Sequence, residues 1–517
     1  MSSPTFAELI LARSDDDSTA IIFEGESWSW REAVLEARRR VTLIRPHRNH
    51  EAPWHIGIFC ENSAEHVFWW LAAALDGATV VGLNPTRRGS DLARDIAFTE
   101  CQFVVVDGAR RNLLNGLLDL PPILEVDAEE YAGKVAATEP AVIDELPAPE
   151  VIMSLVFTSG TTSAPKAVIC TQRRMGMLAV TQQERRALTS DDTFYIVMPL
   201  FHSNAVMAGL APAVSSGAAV VIRRKFSASN WLPDVREHGV TFFNYVGKPL
   251  NYVLATPERP DDADNTLRIA FGNEASERDI ARFSERFGCK VIDSFGSSEG
   301  EIRIMRTPET PTGSLGRAPE GTVVLDPETL LECPPAVFDE RGRLTNGDAA
   351  IGEIVNKVGA QLFEGYWNNP EADADRLRNG WVWSGDLAYR DADGFFYFAG
   401  RNGDWLRVDG ENLAAAPIER LLLRYSGFSG VAVVATPDPI VGDAVLAVVE
   451  LDHPFDPEAF QAFLDTQPDL GTKWSPAHIK VVEELPRTGS NKIIKRAIDR
   501  QLRGEIWDAT SEGYQLR

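Results

Sequence analysis

Val151-Ile-Met-Ser-Leu-Val-Phe-Thr-Ser-Gly-Thr-Thr-Ser-Ala-Pro-Lys-Ala-Val168 is the stretch on which the reading of this chain turns. Its first seven residues are apolar but for one serine and read as a buried strand. The segment Thr158 to Lys166 then gathers hydroxyls, a glycine and a lysine. Small residues let backbone N–H groups approach an anion, hydroxyls donate to it, and a lysine neutralises it. That is the anatomy of a loop wrapped around a polyphosphate at the end of a strand. A P-loop would need Gly directly before the Lys and Ser or Thr after it. Here Lys166 follows Pro165 and precedes Ala167. Taken alone, the segment also reads as a Ser/Thr-rich surface turn.

The rest of the chain narrows the choice. At 517 residues it is too long for one hydrophobic core, so two to four domains or subdomains are expected. A net charge of −24 argues against a general electrostatic footprint for nucleic acid. An anionic ligand must therefore meet a local positive site. The five cysteines are odd in number and show no metal-ligand spacing, which fits a reduced, cytoplasmic setting. The start of the chain lacks the basic and apolar regions of a signal peptide. Val67-Phe-Trp-Trp-Leu-Ala-Ala-Ala-Leu75 is cut short by Asp76 and Gly77 and reads as a buried helix, not a membrane span. Peripheral membrane contact is left open. His47, His50 and His55 lie close in sequence, without an acidic partner or register for zinc. Trp28 and Trp30 read as core anchors beside a solvated helix face carrying Arg38, Arg39 and Arg40.

Short apolar runs alternate with amphipathic stretches through the first four hundred residues. Runs at 55–60, 79–83, 103–107, 194–198 and 218–222 read as strands; 90–99 and 276–287 read as helices. The alternation predicts an α/β protein with largely parallel sheets. Near residue 400 the pattern changes. A turn-rich joint, Ala399-Gly-Arg-Asn-Gly-Asp404, precedes runs at 430–434 and 444–450 and a helix at 457–464. The expectation is a large N-terminal domain of layered α/β subdomains over 1–401 and a small, mobile α+β domain over 402–517.

The loop resembles the signature of the adenylate-forming superfamily of acyl-CoA synthetases, luciferases and adenylation domains, which activate a carboxylate with ATP. The usual form has Gly where this chain has Ser163 and Ala167, both small. Further motifs follow in the superfamily's order. Arg268-Ile-Ala-Phe-Gly-Asn-Glu-Ala275 resembles the strand and loop that cover adenine, implicating Gly272, Asn273 and Glu274. Ile292-Asp-Ser-Phe-Gly-Ser-Ser-Glu-Gly300 resembles the adenine and metal segment. There Ser294, Phe295, Gly296, Ser297 and Ser298 would flank the nucleotide, and Glu299 would hold Mg²⁺. Trp381-Val-Trp-Ser-Gly-Asp-Leu387 resembles the segment whose Asp, here Asp386, accepts both ribose hydroxyls. Arg401 matches an arginine that contacts ribose and phosphate just before the hinge, and Gly403 falls at the hinge. Leu485-Pro-Arg-Thr-Gly-Ser-Asn-Lys-Ile-Ile-Lys-Arg496 resembles the segment with the adenylation lysine, assigned to Lys492, with Lys495 as a weaker candidate.

The resemblance implies ATP and Mg²⁺, with CoA as co-substrate. Thr158, Ser159, Gly160, Thr161, Thr162 and Lys166 would hold the phosphates, and Thr161 would share the metal with Glu299. His202, Tyr245, Val246 and Gly247 would line the acid pocket, although His202 is equally readable as structural and 242–247 as a plain core strand. Gly410, Glu411 and Asn412 would face CoA or another acceptor. Leu83-Asn-Pro-Thr-Arg-Arg-Gly-Ser90, Tyr245-Val-Gly-Lys-Pro249 and Trp405-Leu-Arg-Val-Asp-Gly-Glu-Asn-Leu413 are similar to the actinobacterial fatty-acyl-CoA synthetase branch related to fatty-acid transport proteins. That implies an AMP-forming ligase acting on a fatty or steroid side-chain acid, as a monomer or homodimer. The alternative keeps adenylate formation and changes the acceptor, as in aryl-acid enzymes or a nitrite-activating diazotase.

Overall fold

The computed structural model describes residues 3–157, 166–307, 309–340, 342–401, 405–408, 411–438, 442–467, 470, 474–488, 492–510 and 513–517. These form two compact units. The first comprises 1–275, 279–293 and 364–373; the second comprises 276–278, 294–363 and 374–517.

In the first unit, six strands lie in the order Ile123–Glu125, Phe103–Val106, His55–Phe59, Thr79–Gly82, Ile152–Phe157, Ala167–Thr171. All neighbours are parallel except the last pair, which is antiparallel. The strands are mostly apolar, as a parallel sheet with helices on both faces requires. The helix Ala64–Asp76 is one of these covers. Ser63 caps its start by accepting from the His66 N–H, and Gly77, at φ +69°, ends it in the left-handed conformation that a side chain would resist. Residues Val67–Leu75 are all buried, as the reading of a buried helix requires. Among the described residues no helix is long and apolar enough to cross a membrane.

A second parallel array in this unit runs Ile269–Asn273, Phe242–Val246, Thr193–Ile196, Ala219–Ile222, Thr19–Phe23, closed by the antiparallel Glu26–Ser29. Lys290–Asp293 pairs on its other edge, beside Ile269–Gly272. The strands and helices expected in the first three hundred residues are present with ends moved by at most three residues. Trp30 is buried, and Trp28 meets Phe68 edge-on at 5.5 Å. The Arg38–Arg40 face is not simply solvated. Arg40 is 3% exposed and its guanidinium is paired with Glu36 and Glu65. Glu65 sits 25 residues away, so the local sequence carries no sign of it.

The second unit holds an antiparallel array in the order Thr322–Leu325, Gly352–Asn356, Trp381–Arg390, Phe395–Arg401, Gly316–Arg317, Arg303–Met305. Ser294–Gly296 pairs with the last of these. A further sheet contains Trp405–Val408, Glu411–Ala414, Phe428–Asp438, Gly442–Leu451, His478–Val481, Ile506–Thr510 and Gly513–Leu516. The helices Ala415–Leu422 and Pro457–Thr466 supply Ile418, Leu421, Phe460 and Leu464 to its core. This is the α+β pattern expected after residue 400.

Candidate active site

The phosphate-loop segment grows out of a hairpin. Strand Ile152–Phe157 pairs antiparallel with Ala167–Thr171, and Phe157 is the register partner of Ala167. The ends of the loop are therefore held side by side. Thr158, Ser159, Gly160, Thr161 and Thr162 lie outside the described residues. Lys166 is described, and its Nζ stands 5.7 Å from the centre of the Tyr366 ring, within cation–π range.

Tyr366 belongs to a strap along the hairpin's free edge. Val168 bridges to Tyr366, the Ile169 N–H donates to the Gly365 carbonyl at 3.0 Å, and the Trp367 N–H donates to the Ala167 carbonyl at 2.9 Å. Glu364 anchors the strap by accepting from the Thr171 N–H at 2.8 Å and its hydroxyl at 2.6 Å.

Elsewhere in the first unit, the strand Ile269–Asn273 brings Gly272 against Tyr245. A Cβ at Gly272 would lie 2.3 Å from the Tyr245 carbonyl oxygen and 2.7 Å from its ring, so only glycine fits. Glu274 follows at φ +68°, a left-handed conformation that is rare away from glycine and costs backbone strain. Asp293, 8% exposed, accepts from the Tyr245 hydroxyl at 3.0 Å and the Ala275 N–H at 3.1 Å, fixing this loop from below. Tyr245 is fully buried; Val246 packs in the core; Gly247, at φ +69°, donates its N–H to the Asn273 carbonyl at 2.9 Å.

His202 stands half-buried at the start of the short helix Ser203–Ala205. Behind it Asn244 Nδ2 donates to Asn204 Oδ1 at 2.7 Å, both side chains being buried on an otherwise apolar face. Asn62 clamps the loop before His202, donating to the Met198 carbonyl at 2.9 Å and accepting from the Leu200 N–H at 2.8 Å. Asn62, Asn204, Asn244 and Asp293 escape a sequence reading because their partners are remote. Asp293 and Asn244 had a signal in their places inside the Ile292–Gly300 motif and the stretch 242–247.

In the second unit, Ser294–Gly296 pairs with Arg303–Met305, placing Phe295 with its ring centre 5.8 Å from that of Phe398. A turn follows, in which the Gly300 N–H donates to the Ser297 carbonyl at 3.1 Å. Ser298 and Glu299 lie in this turn, and Glu299 is 8% exposed. Asp386 lies on Trp381–Arg390 opposite Arg401 of the neighbouring strand. Its N–H donates to Ser384 Oγ at 2.9 Å. The preceding Gly385, at φ +74°, donates its N–H to the buried Glu353 carboxylate at 2.7 Å. The side chains of Arg401, Glu411 and Asn412 are outside the described residues, as are Gly403 and Gly410. The strands flanking Gly410 pair with Val408 opposite Glu411.

Lys492 closes a second hairpin. Its N–H donates to Thr488 Oγ1 at 3.1 Å, its carbonyl accepts from the Thr488 N–H at 2.8 Å, and the Ile494 N–H reaches the Pro486 carbonyl at 2.7 Å. A buried ion pair supports this hairpin. Glu450 holds the Leu485 N–H at 2.8 Å through one oxygen and Arg487 at 2.8 Å through the other. Lys495 Nζ lies 2.9 Å from a Glu419 carboxylate oxygen. A cavity of about 580 Å³ beside the hairpin is lined by Val448, Lys480, Leu485, Arg487, Thr488 and Ile498. Its cations are matched already, since Lys480 donates at 2.9 Å to the Asp499 carboxylate and to the Asp499 and Gln501 carbonyls.

Among the described residues, Asp234, Glu237 and His238 come within metal-ligand reach of one another. A guanidinium fills that place: Arg223 donates to the two Asp234 oxygens at 2.8 and 2.7 Å, and the Tyr195 hydroxyl adds a third bond at 2.6 Å.

The AMP-binding enzyme profile matches residues 11–367, and the AMP-binding enzyme C-terminal domain profile matches 417–492. A steroid-22-oyl-CoA synthetase of Rhodococcus jostii is 47% identical over 506 residues, covering 96% of this chain and 91% of the relative. The medium/long-chain-fatty-acid–CoA ligase FadD17 of Mycobacterium tuberculosis is 45% identical over 501 residues, covering 96% of both. ATP-bound MatB from Rhodopseudomonas palustris shares the fold with a TM-score of 0.82 at 23% identity, over 96% of this chain and 98% of its own.

Proposed function

The chain belongs to the AMP-binding enzyme family, and from that membership we propose that it is an ATP-dependent acid–CoA ligase for fatty or steroid side-chain acids. The observation that carries this reading is its 45% to 47% identity, across 96% of its length, to two relatives that bear the names of acid–CoA ligases.

In the first half-reaction a carboxylate oxygen of the acid attacks the α-phosphorus of ATP, and pyrophosphate leaves. Attacker and target are both negative, so charge neutralisation and in-line positioning supply most of the catalysis. Lys166 and the Thr158–Thr162 hydroxyls hold the phosphates that depart. Asp386 accepts the ribose hydroxyls, and Arg401 meets ribose and phosphate. Gly272, Asn273 and Glu274 take one adenine-binding role and Ser294–Ser298 another, with Phe295 as the stacking ring. Lys492 neutralises the α-phosphate and the incoming carboxylate. Lys495, the weaker candidate, is paired with Glu419.

The buried Glu299 carboxylate suits a hard cation that takes one or two protein oxygens and fills its remaining places with phosphate and water, so Glu299 fits Mg²⁺, and Thr161 is the proposed second ligand. When bound, Mg²⁺ would neutralise phosphate charge.

In the second half-reaction the CoA thiol attacks the acyl carbonyl, the acyl–phosphate bond breaks, AMP leaves and the thiol proton passes to solvent. Residues 402–517 act as the small domain and turn about Gly403, withdrawing Lys492 and presenting Gly410, Glu411 and Asn412 to the pantetheine arm. His202, Tyr245, Val246 and Gly247 border the acid.

AMP release is the test, across fatty acids of varied length, steroid side-chain acids, aryl acids, and nitrite with an aromatic amine, each with and without CoA. The expected result is thioester and AMP only with an aliphatic or steroid acid plus CoA. Turnover with nitrite and amine in the absence of CoA would overturn the reading.

A further inference from the structure

Two of the nucleotide motifs, 294–299 and 381–387, come from distant stretches of the second unit. One side chain outside both touches each of them. Arg376, the last residue of the helix Pro370–Arg376, is 9% exposed. One terminal nitrogen of its guanidinium donates to the Ser384 carbonyl at 2.6 Å. The other donates to Ser297 Oγ at 3.2 Å and stands 3.7 Å from a carboxylate oxygen of Glu299 and 3.7 Å from one of Glu301.

Each contact bears on a candidate ligand. Ser384 bonds Asp386 twice, accepting its N–H at 2.9 Å and donating to its carbonyl at 3.1 Å. Ser297 opens the turn that carries Glu299. Glu301, whose side chain is fully buried, is tied by its carbonyl to Asn356 Nδ2 at 2.7 Å, which fixes the far end of the same turn. The carboxylate contacts at 3.7 Å exceed hydrogen-bond length, so they act as charge attraction without a directed bond. Such a hold sets where the Glu299 carboxylate rests. A planar guanidinium with several donors spans these partners at once; a lysine ammonium, a single point charge, cannot.

We propose that Arg376 is a positioning residue that fastens the Glu299 turn to the Asp386 strand, presetting the metal-holding and ribose-holding carboxylates before nucleotide arrives. This rests on the nucleotide roles given to Glu299 and Asp386 above.

The test uses the full-length chain with R376Q, R376K, E299Q and D386N. AMP affinity is measured by calorimetry without metal, and Mn²⁺ affinity with ATP bound is measured by electron paramagnetic resonance; neither readout needs turnover. R376Q should weaken both by on the order of ten- to a hundredfold, the usual size for losing a residue that orients a ligand. R376K, which keeps charge and bulk, should fold even where R376Q does not and should fall between R376Q and the parent chain. Parent-like AMP and Mn²⁺ affinities in R376K and R376Q, beside losses in E299Q and D386N, would overturn the proposal alone. If E299Q and D386N bind as the parent does, the nucleotide reading fails and takes this proposal with it.

Discussion

Lys166 and Lys492 each stand at the base of an antiparallel hairpin, but the hairpins are mounted differently. That of Lys166 rests on a parallel sheet whose central strands are wholly buried, and a strap, 364–367, closes its outer edge. That of Lys492 is tied by local bonds and one buried ion pair, Glu450 with Arg487, and packs Leu485 and Ile493 into a hydrophobic cluster of the small antiparallel-rich sheet. The contrast matches the tasks proposed for them. A group that holds departing pyrophosphate gains from a fixed platform, and one that must leave after the first half-reaction gains from a mount on a different sheet that can move as a whole. Rigid placement is a property of the element beneath a lysine, not of the lysine.

Breaking the contrast at its mobile end should have the largest effect. Lys492→Ala should lower adenylate formation by on the order of 10²–10³, the usual cost of losing one transition-state charge partner. Thioester formation from supplied acyl-adenylate should be nearly unchanged. Single-turnover measurement of each half-reaction checks this, and parallel losses would show that the lysine is not confined to the first step.

Acid should attack the fixed end. His66, on the helix Ala64–Asp76, is fully buried, and desolvation lowers its pKa to about 4. His55, on the strand beside Thr79–Gly82, is also shifted down by burial. A ring held neutral in the folded chain binds fewer protons than the same ring unfolded, which titrates near 6.5. Stability is therefore complete above that value and falls as pH drops toward about 4. The slope should be about 1.4 kcal/mol per pH unit for His66 alone. Calorimetric melts of the parent and His66→Gln between pH 7.5 and 5 check the sign. A slope unchanged in the variant would assign the acid sensitivity elsewhere.

The hinge comes next in size. Gly403→Pro should impair the thioester step more than adenylation, by a margin on the order of tenfold, or about 1.4 kcal/mol of barrier. Equal losses in rapid-quench measurements of both steps would remove Gly403 from the hinge.

What could be read from the sequence follows a physical line. The stretches 157–168, 292–300, 381–387 and 485–496 bring their chemistry within a dozen residues, so the motifs and the α/β alternation were legible. The residues that hold them were not. Thr171 meets Glu364 across 193 positions, Asn204 meets Asn244 across 40, and Arg376 meets Ser297 across 79. Nothing local marks a glutamate as the one that closes a strap. Arg40 misled for the same reason, since only the fold brings Glu65 to it.

Tyr366 offers the finest test of the fixed lysine. Its ring is 5% exposed and faces Lys166 Nζ at 5.7 Å, while its backbone bridges Val168. The strap itself is held by Glu364 and by Trp367, whose ring meets His55 edge-on at 4.6 Å. Removing the aromatic face should thus disturb the lysine and spare the strap. A cation–π contact of this kind contributes about 0.5–1 kcal/mol. Tyr366→Leu should therefore raise the KM for ATP by roughly two- to fivefold, with kcat for adenylation little moved. Tyr366→Phe keeps the ring and should bind ATP more tightly than Tyr366→Leu. If Tyr366→Phe weakens ATP as much as Tyr366→Leu does, the hydroxyl and not the ring face is what matters. The steadiness of Lys166 would then rest on the hairpin alone.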